Sequence, residues 1–221
     1  MLSVDDITYI TRNIPRDMVI YEIQPRTILG NRSRLGLREA IVSFPVEVML
    51  PSEMGSKPKR LFERACGRGH VDIIQILLTD PRVDPSTNNN GSICLASWRG
   101  HLEIVKLLLA DSRVDPSDDN NTAICHASQN GYIKIVKLLL ADPRVDPSAV
   151  NNYAIRWASR KCQFDVVKLL LADPRVDPSA RDNYAIRFAS SAGHPEVVKL
   201  LLADSRVDAP SDSRYHPSDA I

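Results

Sequence analysis

The sequence has almost no excess of charge of either sign: 28 lysines and arginines stand against 27 aspartates and glutamates, a formal net charge of +1 over 221 residues. A general affinity for nucleic acid or for anionic membrane needs a strong positive field, so neither is expected. Long apolar runs are missing too, and none approaches the roughly 18 residues of a membrane-spanning helix. The opening stretch MLSVDDITYI carries two acids and no sustained apolar core, so no secretory signal is expected there. A cytoplasmic protein is expected. The four cysteines, Cys66, Cys94, Cys125 and Cys162, follow no CxxC or other metal spacing. No GxGxxG or GxxxxGK[ST] phosphate loop, HExxH metal helix or GxSxG elbow occurs. No catalytic residue, cofactor or metal is therefore expected. Apolar content of 43% with 25% charged residues is ordinary for a folded chain.

What the sequence has is a ten-residue block that returns. LLTDPRVDPS begins at Leu77, LLADSRVDPS at Leu108, LLADPRVDPS at Leu139 and Leu170, and LLADSRVDAP at Leu201. Its first aspartate falls at Asp80, Asp111, Asp142, Asp173 and Asp204, each 31 residues after the last. A fixed period in this range marks a stacked solenoid, in which each unit buries its apolar face only against its neighbours.

Each unit reads as two short helices. Asn90, Asn121, Asn152 and Asn183 stand just before the first, where an asparagine side chain is expected to cap an orphan backbone N–H. Ile93, Ile124, Ile155 or Ile186 then precedes Ala96, Ala127, Ala158 or Ala189 by three residues, on one helix face. Phe62 and Ala65 occupy these places in the first copy. Gly69, Gly100, Gly131 and Gly193 end the helix where a left-handed residue is needed, and Cys162 takes that place in the fourth copy. Asp72, Glu103, Asp165 and Glu196 suit the positive first turn of the second helix, and Pro195 suits its first position. The second helix ends at Asp-Pro or Asp-Ser, and Val83, Val114, Val145, Val176 and Val207 read as plugs between units. Helices stacked roughly 8–10 Å apart place Cys94 and Cys125 too far apart for a disulfide, so reduced thiols are expected. A zinc site on Cys94, Cys125 and His126 lacks a fourth ligand.

The pattern A-x-x-x-G-H at Ala65 to His70, Ala96 to His101 and Ala189 to His194, followed by a [VI]-[VI]-[QK]-[IL]-L-L run, resembles the ankyrin repeat. The usual T-P-L-H entry is replaced by YAIR at 184–187 and TAIC at 122–125, and the finger between repeats is short. The resemblance implies an all-α solenoid of helix–turn–helix repeats and a non-enzymatic scaffold that binds a protein partner on its concave face. It also implies that the turn histidines His70, His101 and His194 make structural hydrogen bonds.

The domain plan expected is an atypical N-terminal cap at 1–57 and five repeats at about 58–88, 89–119, 120–150, 151–181 and 182–208, with a polar tail at 209–221. Ile14-Pro15-Arg16-Asp17-Met18 with Ile20 and Ile23 faintly resembles an F-box opening, which would imply a ubiquitin-ligase substrate adaptor as the alternative. Lys57-Pro58-Lys59-Arg60 reads as the solvated start of a helix, with a nuclear localisation signal as the alternative. Partner specificity in a repeat array belongs to positions that vary while the framework stays constant. One such set is Trp98 and Arg99, Gln129 and Asn130, Arg160 and Lys161. A second is the finger, with Asn89, Asn120, Asn151 and Asp182. A third slot holds Arg64, Leu95, His126, Trp157 and Phe188, partly core. Trp98 beside Arg99 is the expected anchor, since both types dominate binding hot spots. Basic residues on the fourth and fifth first helices (Arg156, Arg160, Lys161, Arg187) suggest a partner with an acidic segment. A monomer is expected.

Overall fold

The structure is a computed structural model that describes residues 57–207. The F-box-like stretch, most of the expected cap and the tail lie outside the described residues. Those residues form ten α-helices and no strand. Counted along the chain, these are α1 (Lys57–Arg68), α2 (Val71–Leu78), α3 (Thr87–Arg99), α4 (Leu102–Ala110) and α5 (Asp118–Gln129). They continue with α6 (Ile133–Ala141), α7 (Ala149–Arg160), α8 (Phe164–Leu171), α9 (Ala180–Ser191) and α10 (Pro195–Leu202). The chain divides into two compact units, with the described residues 57–65 and 70–84 in the first and 66–69 and 85–207 in the second.

In the first unit Phe62, Ala65, Ile73, Ile74, Leu77 and Val83 are buried. The His70 N–H bonds the Ala65 carbonyl at 3.1 Å, which closes the turn between α1 and α2. In the second unit each odd-numbered helix from α3 packs on the helix that follows it. The odd helices α3, α5, α7 and α9 lie beside one another in chain order, and so do α4, α6, α8 and α10. The recurring residues make the seams. Ile124, Ala127, Ile155, Ala158, Ile186 and Ala189 have no solvent exposure, and neither do Leu108, Leu139, Leu170 and Leu201. Alanine at one slot in every copy lets the first helices approach closely. The leucine row supplies apolar area at roughly 1.5–3 kcal/mol per buried side chain.

The glycine turns share a left-handed backbone, and at Gly100 and Gly131 the next repeat also fills the space a Cβ would need. Gly100 and Gly131 have φ of 80° and 78°, and a Cβ on Gly100 would lie 2.6 Å from the Tyr132 ring. Cys162 adopts the same left-handed backbone at φ 58°, so the fourth repeat keeps the turn without glycine. At the end of each second helix, the aspartate carboxylate accepts both the backbone N–H and the guanidinium of the arginine two residues on. Asp142 and Arg144 meet at 2.7 Å, and Asp80, Asp111, Asp173 and Asp204 repeat the pair. Arg144, Arg175 and Arg206 also donate to the carbonyls of Val114, Val145 and Val176, one repeat earlier. The plug valines are buried as expected.

The entry to each first helix differs from the expected cap. Three successive residues adopt a left-handed conformation: Asn88–Asn90, Asp119–Asn121, Val150–Asn152 and Arg181–Asn183, all with φ of 49° to 60°. The last of each trio donates its N–H to the serine carbonyl four residues back, as Asn121 does to Ser117 at 2.9 Å. A left-handed turn of this kind costs roughly 1–2 kcal/mol per non-glycine residue, least for Asn and Asp. Asparagine does stand immediately before the right-handed helix, but its side chain does not cap that helix. The Oδ1 of Asn90, Asn121 and Asn152 instead accepts the backbone N–H of Asp115, Asp146 and Asp177, at 2.9, 2.7 and 2.7 Å. Each asparagine thereby ties the start of its repeat to the loop that ends it.

Candidate functional site

The left-handed turns carry Asn89, Asn120, Asn151 and Asp182 as their middle residues, and all four are exposed. The serine carbonyl holds the backbone of all four turns, and a buried asparagine also holds the three that carry Asn89, Asn120 and Asn151. At the other end of the first helices, Trp98 is 46% exposed and the Arg99 guanidinium lies 4.8 Å from its ring centroid. Arg160 and Lys161 are exposed at the same slots of the fourth repeat. Gln129 and Asn130 are only half exposed and already engaged. Asn130 Nδ2 donates to the Trp98 carbonyl at 3.1 Å, and the Tyr153 hydroxyl reaches Gln129 Oε1 at 3.4 Å. The ten expected residues therefore divide into eight exposed positions and two that partly serve the seam.

Leu95, His126, Trp157 and Phe188 are half buried, and Arg64 is exposed. His126 sits with its ring centroid 6.3 Å from that of Trp98. Burial holds its pKa below the usual histidine value, so the imidazole is uncharged at neutral pH.

Sequence reading missed what joins the fourth and fifth repeats. Tyr153 stacks on Trp157 within α7, with centroids 5.4 Å apart, and Tyr184 stacks on Phe188 within α9 at 3.9 Å. Two α7 guanidinia bridge these pairs. Arg156 lies 5.9 Å from the Tyr153 centroid and 4.8 Å from that of Tyr184, while Arg160 lies 4.7 and 5.1 Å from Trp157 and Phe188. The i, i+4 spacing of Tyr153 with Trp157 and of Tyr184 with Phe188 is the signal that could have revealed it.

Arg156, expected on the surface, is only 4% exposed. Its guanidinium donates to the Asn151 and Val150 carbonyls at 2.8 and 2.9 Å. Burial lowers its pKa, and the nearby Arg181 charge lowers it further; a guanidinium stays protonated regardless. The left-handed turn thus satisfies a cation that has no carboxylate beside it.

Two of the turn histidines make the expected structural hydrogen bonds. His101 Nε2 donates to the Gly67 carbonyl and His194 Nε2 to the Arg160 carbonyl, each at 3.1 Å. Cys66, Cys94 and Cys125 are buried free thiols, and Cys162 is an exposed one. Burial pushes the pKa of Cys94 and Cys125 up to about 12, far from any reactive thiolate. Among the described residues no three His, Cys, Asp or Glu side chains are grouped to hold a metal.

Paired helices at a 31-residue period, glycine turns and a constant frame under changing surface residues define a helical repeat protein of the interaction type. A family model for ankyrin repeats (3 copies) matches residues 61–151 and again 93–182, together more than half of the chain. The chain belongs to the ankyrin repeat family, whose repeats are protein–protein interaction modules. No curated protein sequence matches it significantly.

Proposed function

We propose that the protein is a non-enzymatic scaffold of five repeats spanning 58–208, between a capping region at 1–57 and a tail at 209–221. It holds a protein partner along the concave row made by the left-handed turns and the ends of the first helices. The observation that supports this most is Trp98. A tryptophan left 46% exposed with a guanidinium laid on it forfeits burial that the frame residues all obtain. Such a pair has large contact area, few rotamers to freeze and a charge already positioned, the properties of a hot spot.

Affinity capture from the native cell with wild type, then with Trp98→Ala plus Arg99→Ala, tests this reading. Both side chains are exposed, so the double variant should keep the wild-type circular dichroism and melting curve while losing the captured protein. Capture of the same protein in the same amount would dispose of the anchor.

A further inference from the structure

We propose that the face joining α7 and α9 is the subsite for a carboxylate-rich segment of the partner, held by Arg160 on its aromatic shelf with Arg156, Lys161, Arg181 and Arg187 around it. This deepens the reading above and rests on it.

The argument begins with which arginines are spoken for. Arg82, Arg113, Arg144, Arg175 and Arg206 each pair with an aspartate two residues earlier. Their charge is answered within the fold. None of the five cations around α7 and α9 makes an ion pair among the described residues, and the sequence of these helices offers one carboxylate, Asp182. The face is therefore a concentration of unanswered positive charge in a chain whose overall charge is near zero.

Its geometry is prepared for an acceptor. Arg160 is clamped between Trp157 and Phe188, rings from adjacent repeats, so its plane is set before any partner arrives. The rotamer freedom that an arginine ordinarily loses on binding is already lost, which favours affinity. A planar guanidinium with free N–H edges matches a carboxylate bidentately. Arg156 beneath it is fixed by the turn carbonyls and contributes charge rather than hydrogen bonds.

The occupant is also given a direction. Asp118 and Asp119 lie at the start of α5, one repeat from the Arg156 turn, and make that end of the row acidic. A segment lying across the row would place its carboxylates over α7 and α9 and keep them from the start of α5.

The test uses the full chain and fluorescence anisotropy with a labelled 12-residue peptide of alternating Asp, Glu and Gly. Controls are its Asn/Gln counterpart and a phosphoserine peptide of equal net charge. Wild type should bind the acidic peptide, lose it as salt rises, and ignore the amide version. Arg160→Gln should weaken binding about tenfold, the size of one charge-assisted contact. Arg160→Lys, which keeps the charge but not the flat stack, should fall between. Lys134→Gln, an exposed cation on α6, should bind as wild type does. A Kd weaker than about 1 mM, equal binding of the amide peptide, or equal loss in Lys134→Gln overturns the subsite. Preference for the phosphopeptide overturns its assignment to carboxylates. Should capture by the Trp98 anchor succeed while the peptide fails, this subsite falls and the scaffold reading stands; failure of the capture alone removes the anchor.

Discussion

Asn121 Oδ1 accepts the backbone N–H of Asp146 at 2.7 Å, across 25 residues of the same repeat. Asn121 itself is left-handed, at φ 60°. Replacing it with alanine removes the acceptor of a part-buried N–H and places a β-carbon in an unfavourable backbone region. Asn121→Ala should cost about 2–4 kcal/mol. Asn121→Gly relieves the backbone but not the lost acceptor and should cost less. Urea midpoints of the three proteins decide it, and an alanine variant as stable as wild type would refute the account.

Val150 is the misfit among the turn residues. It is β-branched, left-handed at φ 54° and half exposed, so it gains little from packing in return. Val150→Asn should raise stability by about 1 kcal/mol, seen as a higher melting temperature. A lower one would show that its apolar side chain contributes more than its backbone costs.

The carboxyls of Asp80, Asp111, Asp142, Asp173 and Asp204 are held below the usual carboxylate range, chiefly by hydrogen bonds from the arginine two residues on. A depressed folded pKa gives stability that is present above the unfolded value of about 4 and is lost as pH falls through the folded one. The urea midpoint should stay level from pH 8 to about 5 and drop below about pH 4. Asp142→Asn should make that drop shallower; an unchanged slope would show that the pair at Arg144 contributes nothing to it.

Thiol labelling offers a cheap check on the packing. With Cys66, Cys94 and Cys125 buried and Cys162 exposed, an aromatic disulfide reagent should titrate one thiol of four quickly in the native protein and all four in denaturant. Cys162→Ser should abolish the fast phase. Rapid reaction of more than one would mean that the first helices are not seated as described.

The period, the helix pairs and the plug valines were legible because each is a local pattern repeated five times in one environment. The left-handed turns were not. Valine at 150 and arginine at 181 argue against that backbone, yet the serine carbonyl four residues before the last of each trio holds it in both turns, joined at Val150 by the buried Asn152. The place of Asn121 could be read; its partner could not, because the two meet only once the repeat has closed. Arg156 looked like surface charge, since the tyrosine that covers it belongs to the following repeat. Trp98, Arg99 and Arg160 were found because surface positions that break an internal repetition stand out by contrast.

Six hydrogen bonds between repeats share one orientation. Arg144 donates to Val114, Arg175 to Val145 and Arg206 to Val176, while Asn130, Gln163 and His194 reach back to carbonyls of the preceding first helix. In each of these six the donor is the later residue, while Asn90 Nδ2 on α3 donates forward to Asp118 Oδ2 on α5 at 3.0 Å. The protein therefore has a grain: a chain emerging from the ribosome offers each new module finished acceptors on which to close. Trimming from the C-terminus bares carbonyls that water can serve, whereas trimming from the N-terminus leaves guanidinium and imidazole groups reaching for a surface that is gone.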